Sequence, residues 1–321
     1  MRRNRQVRAA VGTNLWIAIQ IFLLASVVLL GAFAARAAPV QTHYATPQQG
    51  VDAIVQAVRN DDLKTLQEAL GPEGDTLLRS GDDVADAEGR ARLLAAYDES
   101  AKLVNDSETR ATLQIGKDGW PFPIPLVRDA KGWRFDTAAG REELINRRIG
   151  RNELSVVQAS LAYADAQREY ATFDRNGDGI TEYAQRFMST PKHKDGLYWP
   201  TAENEPPSPL GDLFAQAQAK GYHLGSTATP APYLGYRYKI LTSQGPHAAG
   251  GAYDYMAKGR MIGGFAMVAY PATYGVSGVM TFLVNHDGVV YQKDLGPKTA
   301  SLAPAMTKFD PDKTWTAEPS G

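Results

Sequence analysis

Asp174-Arg175-Asn176-Gly177-Asp178-Gly179 places side-chain oxygens at alternate positions and a glycine at the sixth. That is how a short loop wraps Ca²⁺: the cation takes about six to eight oxygen ligands, and the glycine permits the sharp turn. Glu182 falls at position nine, so the candidate metal set is Asp174, Asn176, Asp178 and Glu182. Position eight is Thr181 where an aliphatic residue is usual, and position twelve is Gln185 where a bidentate Glu would close the site. The pattern therefore implies weak Ca²⁺ binding, with a Kd of about 10⁻⁴ to 10⁻³ M. An ordinary Asx turn joining a helix to a loop is the alternative reading of the same residues.

Other chemistries lack their constellations. Gly275-Val276-Ser277-Gly278 has the wrong spacing for a nucleophile elbow. Ser189-Thr190-Pro191-Lys192 matches Ser-x-x-Lys, but Pro191 opposes the helix that motif needs and no Lys-Thr-Gly accompanies it. The histidines at 43, 193, 223, 247 and 286 never recur at i, i+4, and the chain has no cysteine. Zinc ligation, disulfides and thiol chemistry are therefore not indicated. Gly250-Gly251 and Gly263-Gly264 form neither a dinucleotide fingerprint nor a phosphate loop, and turn geometry accounts for them. Asp254, Tyr255 and Arg260 could line a ligand groove beside them, although support of a long surface excursion explains them as well. Asp254, His286 and Asp287 could meet in space as the acid/base group of a hydrolase or isomerase. No residue is assigned as catalytic.

The elements that position these groups follow from a chain of 321 residues, 44% hydrophobic, which is long enough for two cores. Arg2, Arg3, Arg5 and Arg8 precede an uncharged run from Ala9 to Ala35, and Ala35-Arg36-Ala37 offers a small-x-small cleavage site. Residues 1–37 are thus expected to be an export signal, the mature chain starting near Ala38 in the periplasm or outside the cell. A retained membrane anchor is the alternative, because the run exceeds the roughly 18 residues that span a bilayer. Losing residues 1–37 removes five arginines and no acid, moving the formal charge from −1 to −6. A mildly acidic protein without a basic, aromatic-interleaved stretch is not a nucleic-acid binder.

Apolar spacing predicts helices over 47–60, 62–70 and 91–104. Strands are expected at 112–115, 124–127 and 133–135, separated by Gly116-Lys117-Asp118-Gly119 and Asp129-Ala130-Lys131-Gly132 turns. A long helical pattern covers 141–173, with a break expected at Gly150, and a short helix lies near 209–220. Strands return at 236–241, 264–270, 279–284 and 289–293, the last two joined by Asn285-His286-Asp287-Gly288. The fold class is α+β in two domains, 38–145 and 150–321, each with helices packed on an antiparallel sheet.

Helices followed by a small meander ending in Gly132-Trp133-Arg134-Phe135-Asp136 resemble nuclear transport factor 2-like domains, whose sheet wraps a pocket. Enzymes of that class carry an Asp/His dyad in the pocket, whereas this segment offers only His43, ahead of its first helix. The second unit has a long helix, a Tyr-rich loop, the Gly235-Tyr236-Arg237-Tyr238 strand and the closing hairpin. It resembles type IV pilin and pseudopilin heads.

Over most of the chain the sequence resembles the bacterial family called domain of unknown function 2950. The resemblance is carried by Trp120-Pro121-Phe122-Pro123-Ile124-Pro125, by Asn146-Arg147-Arg148-Ile149-Gly150-Arg151-Asn152-Glu153-Leu154, and by Gly196-Leu197-Tyr198-Trp199-Pro200. Gly250-Gly251-Ala252-Tyr253-Asp254-Tyr255 and Val284-Asn285-His286-Asp287-Gly288-Val289-Val290-Tyr291 complete it. The resemblance implies an exported bacterial protein without an assigned reaction. Together these readings point to a non-enzymatic module that binds an envelope protein, a peptide or a glycan, and meets a membrane only if residues 1–37 are retained. A hydrolase or isomerase with a dispersed site is the alternative.

Overall fold

A computed structural model describes residues 41–222 and 231–319; the expected export signal and His223 lie outside them. Helix α1 (Pro47–Arg59) starts where the Thr46 side chain accepts from the Gln49 N–H, with Pro47 supplying a φ suited to the first turn. Asp62 caps α2 (Leu63–Leu70) through the Thr65 N–H. A 3₁₀ turn and the short α3 (Asp75–Leu78) follow. Asp82 then caps α4 (Asp83–Glu99) by accepting from the Ala85 N–H.

The helix expected over 91–104 is thereby corrected: it starts earlier and stops earlier. Acidic residues 82–86 are its cap and first turn, where negative charge meets unsatisfied N–H groups. Leu103 and Val104 instead lie in strand β1 (Ala101–Ser107), because they pair with Leu113 and Thr112 of β2 (Arg110–Ile115). Ladder pairing overrides the local apolar spacing.

Strands β3 (Trp120–Pro121), β4 (Leu126–Asp129) and β5 (Gly132–Phe135) complete an antiparallel sheet of order β1-β2-β4-β5, with β3 on β2. Alternation in β2 buries Ala111, Leu113 and Ile115 against Val51, Ile54 and Leu66 of the helices. Burying each large side chain contributes about 1.5–3 kcal/mol.

Helix α5 (Thr137–Tyr170) runs 34 residues without interruption, so the expected break at Gly150 is corrected. A mid-helix glycine costs about 1 kcal/mol relative to alanine. The contacts on both sides of Gly150, described below, offset that cost. At Gly140 the glycine is required by close approach, because a Cβ there would collide with the Pro123 carbonyl.

After α6 (Gly211–Ala219) comes a second antiparallel sheet: β6 (Tyr236–Leu241), β11 (Ala266–Pro271), β12 (Met280–Asn285) and β13 (Val290–Asp294). The small pairs β7 (Ser243–Gln244) with β8 (Tyr253–Asp254) and β9 (Met256–Ala257) with β10 (Arg260–Met261) fill the excursion between β6 and β11. A last strand, β14 (Thr316–Ala317), follows α7 (Thr299–Ala305) and extends the sheet to β14-β13-β12-β11-β6. The class is α+β with antiparallel sheets. No helix of the described residues is long and apolar enough to cross a membrane.

The middle of α5 ties the two layers together. Arg148 donates to the Thr76 and Leu77 carbonyls and lies 3.9 Å from Asp86, all of the first layer. One turn later Asn152 donates to the Ser277 carbonyl at 2.8 Å. Glu153 accepts from the Val279 and Met280 N–H groups at 2.9 and 3.0 Å, in the second layer. Asp82 adds a crossing bond, since its Oδ2 accepts from the Tyr222 hydroxyl at 3.0 Å and the Gly235 N–H at 2.7 Å.

Candidate functional site

The Asp174–Glu182 loop leaves α5 four residues after its last turn. Asp174 accepts from the N–H groups of Asn176, Gly177 and Gly179 at 3.2, 2.8 and 2.7 Å. Those bonds, the Gly179 one foremost, hold its pKa below the usual carboxylate range. Gly177 and Gly179 adopt φ of 75° and 85°, the left-handed turns that let the backbone fold over one carboxylate. Asp178 is held in a fork by Arg260 of β10, which lowers the Asp178 pKa and raises that of Arg260. Glu182 receives the Asn176 amide at 3.2 Å, and burial raises its pKa.

The four residues named for a metal are therefore brought together, but Arg260 supplies the positive charge among them. Gln185 turns away and donates to the Gly259 carbonyl at 2.9 Å. Ca²⁺ would have to displace Arg260 from Asp178 to gain that ligand. Among the described residues, no three His, Cys, Asp or Glu side chains are arranged as a metal-ligand group. Arg260 had no sequence signal linking it to this loop, since 82 residues separate it from Asp178.

The second candidate group forms in part. His286 Nε2 lies 3.4 Å from the Tyr253 hydroxyl and 3.9 Å from Asp287 Oδ1. Its ring packs edge-on against Tyr255 and Phe265, with centroids 5.6 and 6.2 Å away. Nδ1 is buried without a hydrogen-bond partner, close to Gly264, where a Cβ would sit 2.7 Å from it. Asp254 instead accepts from the Met256 N–H at 2.9 Å, stabilising its own turn. Tyr255 is a correction to the groove reading: it is fully buried and donates to Gln244 Oε1 at 2.9 Å. Among the described residues the partners of His286 are a hydroxyl and a carboxylate at loose distance, with no Ser, Thr or Cys nucleophile. Such a group offers hydrogen bonds at a surface and lacks an acyl-transfer arrangement.

A third feature was not singled out in the sequence. Helices α1 and α4 and strands β2 and β5 leave a shallow apolar cleft, partly open to solvent, with about 20 Å³ of free space. Val51, Ile54, Val55, Val58, Leu93 and Phe122 are among the side chains lining it. Tyr97 supplies the one polar side-chain group of the lining. His43 lies elsewhere, 3.1 Å from Asp129 at the β4–β5 turn. The apolar spacing of α1 predicted a buried face, but a gap behind that face is a tertiary property.

The model of a family described as a protein of unknown function, DUF2950, matches residues 41–317. No curated protein and no solved structure matches the chain.

Proposed function

The chain belongs to the DUF2950 family, and from that premise we propose that it is an exported, non-enzymatic module that binds an apolar segment of an envelope protein or peptide. The lining of the α1–α4 cleft carries this reading. Apolar side chains surround it, and one tyrosine supplies its polarity. A glycan placed there would lose water from its hydroxyls without gaining partners, at a cost of about 1–3 kcal/mol each. A peptide's aliphatic or aromatic side chain loses nothing of the kind. The cleft also lacks a pair of titratable groups to move a proton. The resemblance of 38–145 to nuclear transport factor 2-like cones, which wrap a pocket, supports the same assignment.

Export rests on the basic start and the uncharged run up to Ala35. N-terminal sequencing of the periplasmic or secreted protein is expected to begin near Ala38; recovery of Met1 would favour the anchored form. Ca²⁺ is proposed as a weak competitor of Arg260 at Asp174, Asn176, Asp178 and Glu182.

The binding reading is tested by titrating the full chain with anilinonaphthalene sulfonate and then with an apolar peptide competitor. Ile54→Trp, which crowds the cleft, should weaken both about tenfold in protein whose circular dichroism remains native, at a melting temperature lowered by the overpacking. Undiminished binding by a folded Ile54→Trp protein would move the site elsewhere.

A further inference from the structure

Strand β1 is the outer strand of the first sheet: it pairs with β2, and among the described residues no strand or bridge pairs with its other side. Its backbone groups divide between the two sides. The Gly116 N–H donates to the Ser100 carbonyl at 2.9 Å, so Ser100, and in step with it Lys102 and Val104, turn N–H and C=O toward β2. Leu113, opposite Leu103, accepts from the Phe122 N–H at 2.8 Å on its far side. Ala101, Leu103 and Asn105 therefore turn their backbone groups to the open side. Side chains alternate as well. Lys102 and Val104 share the face of Gln114 and Thr112, away from the buried Ala111, Leu113 and Ile115. Asp106 is held on that same face by the Thr112 hydroxyl, which donates to it at 2.6 Å, with Arg110 Nε 3.9 Å away. Lys102 has no acid of its own among the described residues.

We infer that β1 pairs antiparallel with β1 of a second copy of this chain, about a two-fold axis at Val104. Only residues with outward backbone groups can form the hydrogen-bonded pairs of a new ladder, so the possible registers differ in steps of two. With Leu103 opposite the partner's Asn105, the two exchange both backbone bonds, Val104 faces the partner's Val104, and Lys102 faces the partner's Asp106 at both ends. The neighbouring registers set Lys102 opposite the partner's Val104 or the partner's Lys102, which gives up the ion pairs or brings like charges together. Lys102 and the bulge at Asp106, where Asn105 opposes Ala111 but Ser107 opposes Arg110, deter pairing with arbitrary strands. Against its own copy the lysine meets an acid. Charge complementarity thus selects a second copy over an unrelated peptide. The inference does not rest on the function proposed for the cleft.

One strand from each copy buries less than the roughly 1,200 Å² of stable interfaces, so the expected dimer is weak, with a Kd of about 10⁻⁵ to 10⁻⁴ M. Sedimentation equilibrium of the full chain at rising concentration reads it. Lys102→Glu and Asp106→Lys should each weaken the dimer about tenfold, since each sets like charges opposite one another at both ends. An equimolar mixture of these two variants should dimerise like the native chain, because both contacts between unlike chains are then attractive. Asn105→Pro removes an outward N–H and keeps the ladder to β2, so it should abolish dimers in protein whose circular dichroism stays native. Val104→Cys supplies the chain's only thiol. Across such a pair the Cα atoms lie about 4.5 Å apart, within disulfide range, so mild oxidation should link the copies. Ser107→Cys, away from the axis, should stay unlinked.

The inference is overturned if the native chain remains monomeric at about 1 mM, if the mixture of charge variants associates no better than either alone, or if Asn105→Pro leaves the dimer intact. A monomeric chain that instead binds an extended peptide of alternating Val and Thr, with binding lost in Asn105→Pro, would assign this edge to a peptide and overturn the pairing of copies.

Discussion

The two cores differ in what fills them. The first is mainly aliphatic, with Val51, Ile54, Leu66, Leu113, Ile115, Ile124 and Leu126 packed around Trp133 and Phe135, and a cleft remains beside it. The second is rich in tyrosine: Tyr163, Tyr236 and Tyr255 are fully buried and their hydroxyls are hydrogen-bonded, whereas the Tyr238 hydroxyl is buried without a partner. Aliphatic side chains interact without direction, so that layer can accept a guest chain in place of one of its own contacts. A buried tyrosine must point its hydroxyl at a particular acceptor, which fixes one arrangement of the sheet and helix around it. The binding proposed above would therefore fall to the first layer, beside whose core the cleft lies.

The largest effect should come from separating the layers. Expressing 38–145 and 150–321 as two chains cuts α5 and removes the Arg148 and Asp82 bonds between them. Neither piece is expected to melt cooperatively alone. Two independent, sharp transitions would show that the layers are autonomous domains and that the joint is dispensable.

Within the layers, Phe135→Ala should cost about 3–5 kcal/mol by leaving a cavity in the aliphatic core. Tyr236→Phe should cost about 1–2 kcal/mol, since the lost hydroxyl donates to the Met280 carbonyl. Urea unfolding measures both, and a Tyr236→Phe cost near zero would remove the directional argument for the second layer.

A smaller effect is expected at the joint. Burial pushes the Asp86 pKa above 3.8, against the pull of the Ser80 N–H and of Arg148. The folded state then holds that proton more tightly than the unfolded chain does. Its stabilising contribution is complete below pH 3.8 and is lost as pH rises through the higher folded value. Asp86→Asn should flatten this part of the stability-versus-pH curve, and an unaltered curve would place the titration at another group.

The smallest shift concerns the Asp174 loop. At free Ca²⁺ close to its Kd, the melting temperature should rise by only about 1 °C, and not at all in Asp178→Ala. Arg260→Gln, which frees Asp178, should enlarge the shift. Equal shifts in all three proteins would leave the loop as a plain turn fastened by arginine.

Much of this was open to reading in the chain itself. Thr46, Asp62 and Asp82 stand where helices begin because their short side chains accept from N–H groups that the first turn leaves unpaired. The Asn285–Gly288 turn and the alternation in β2 are equally local, so residue type and spacing determined the α+β class and most element positions. Tertiary structure decided the rest. Leu103 and Val104 became strand because β2 lies beside them. Gly150 stayed helical because residues on either side of it are bonded to different layers. Asp178 found Arg260 across 82 residues, and Asp82 met Tyr222 across 140. Pairings at that separation depend on how the elements pack, and no local spacing in the sequence encodes them.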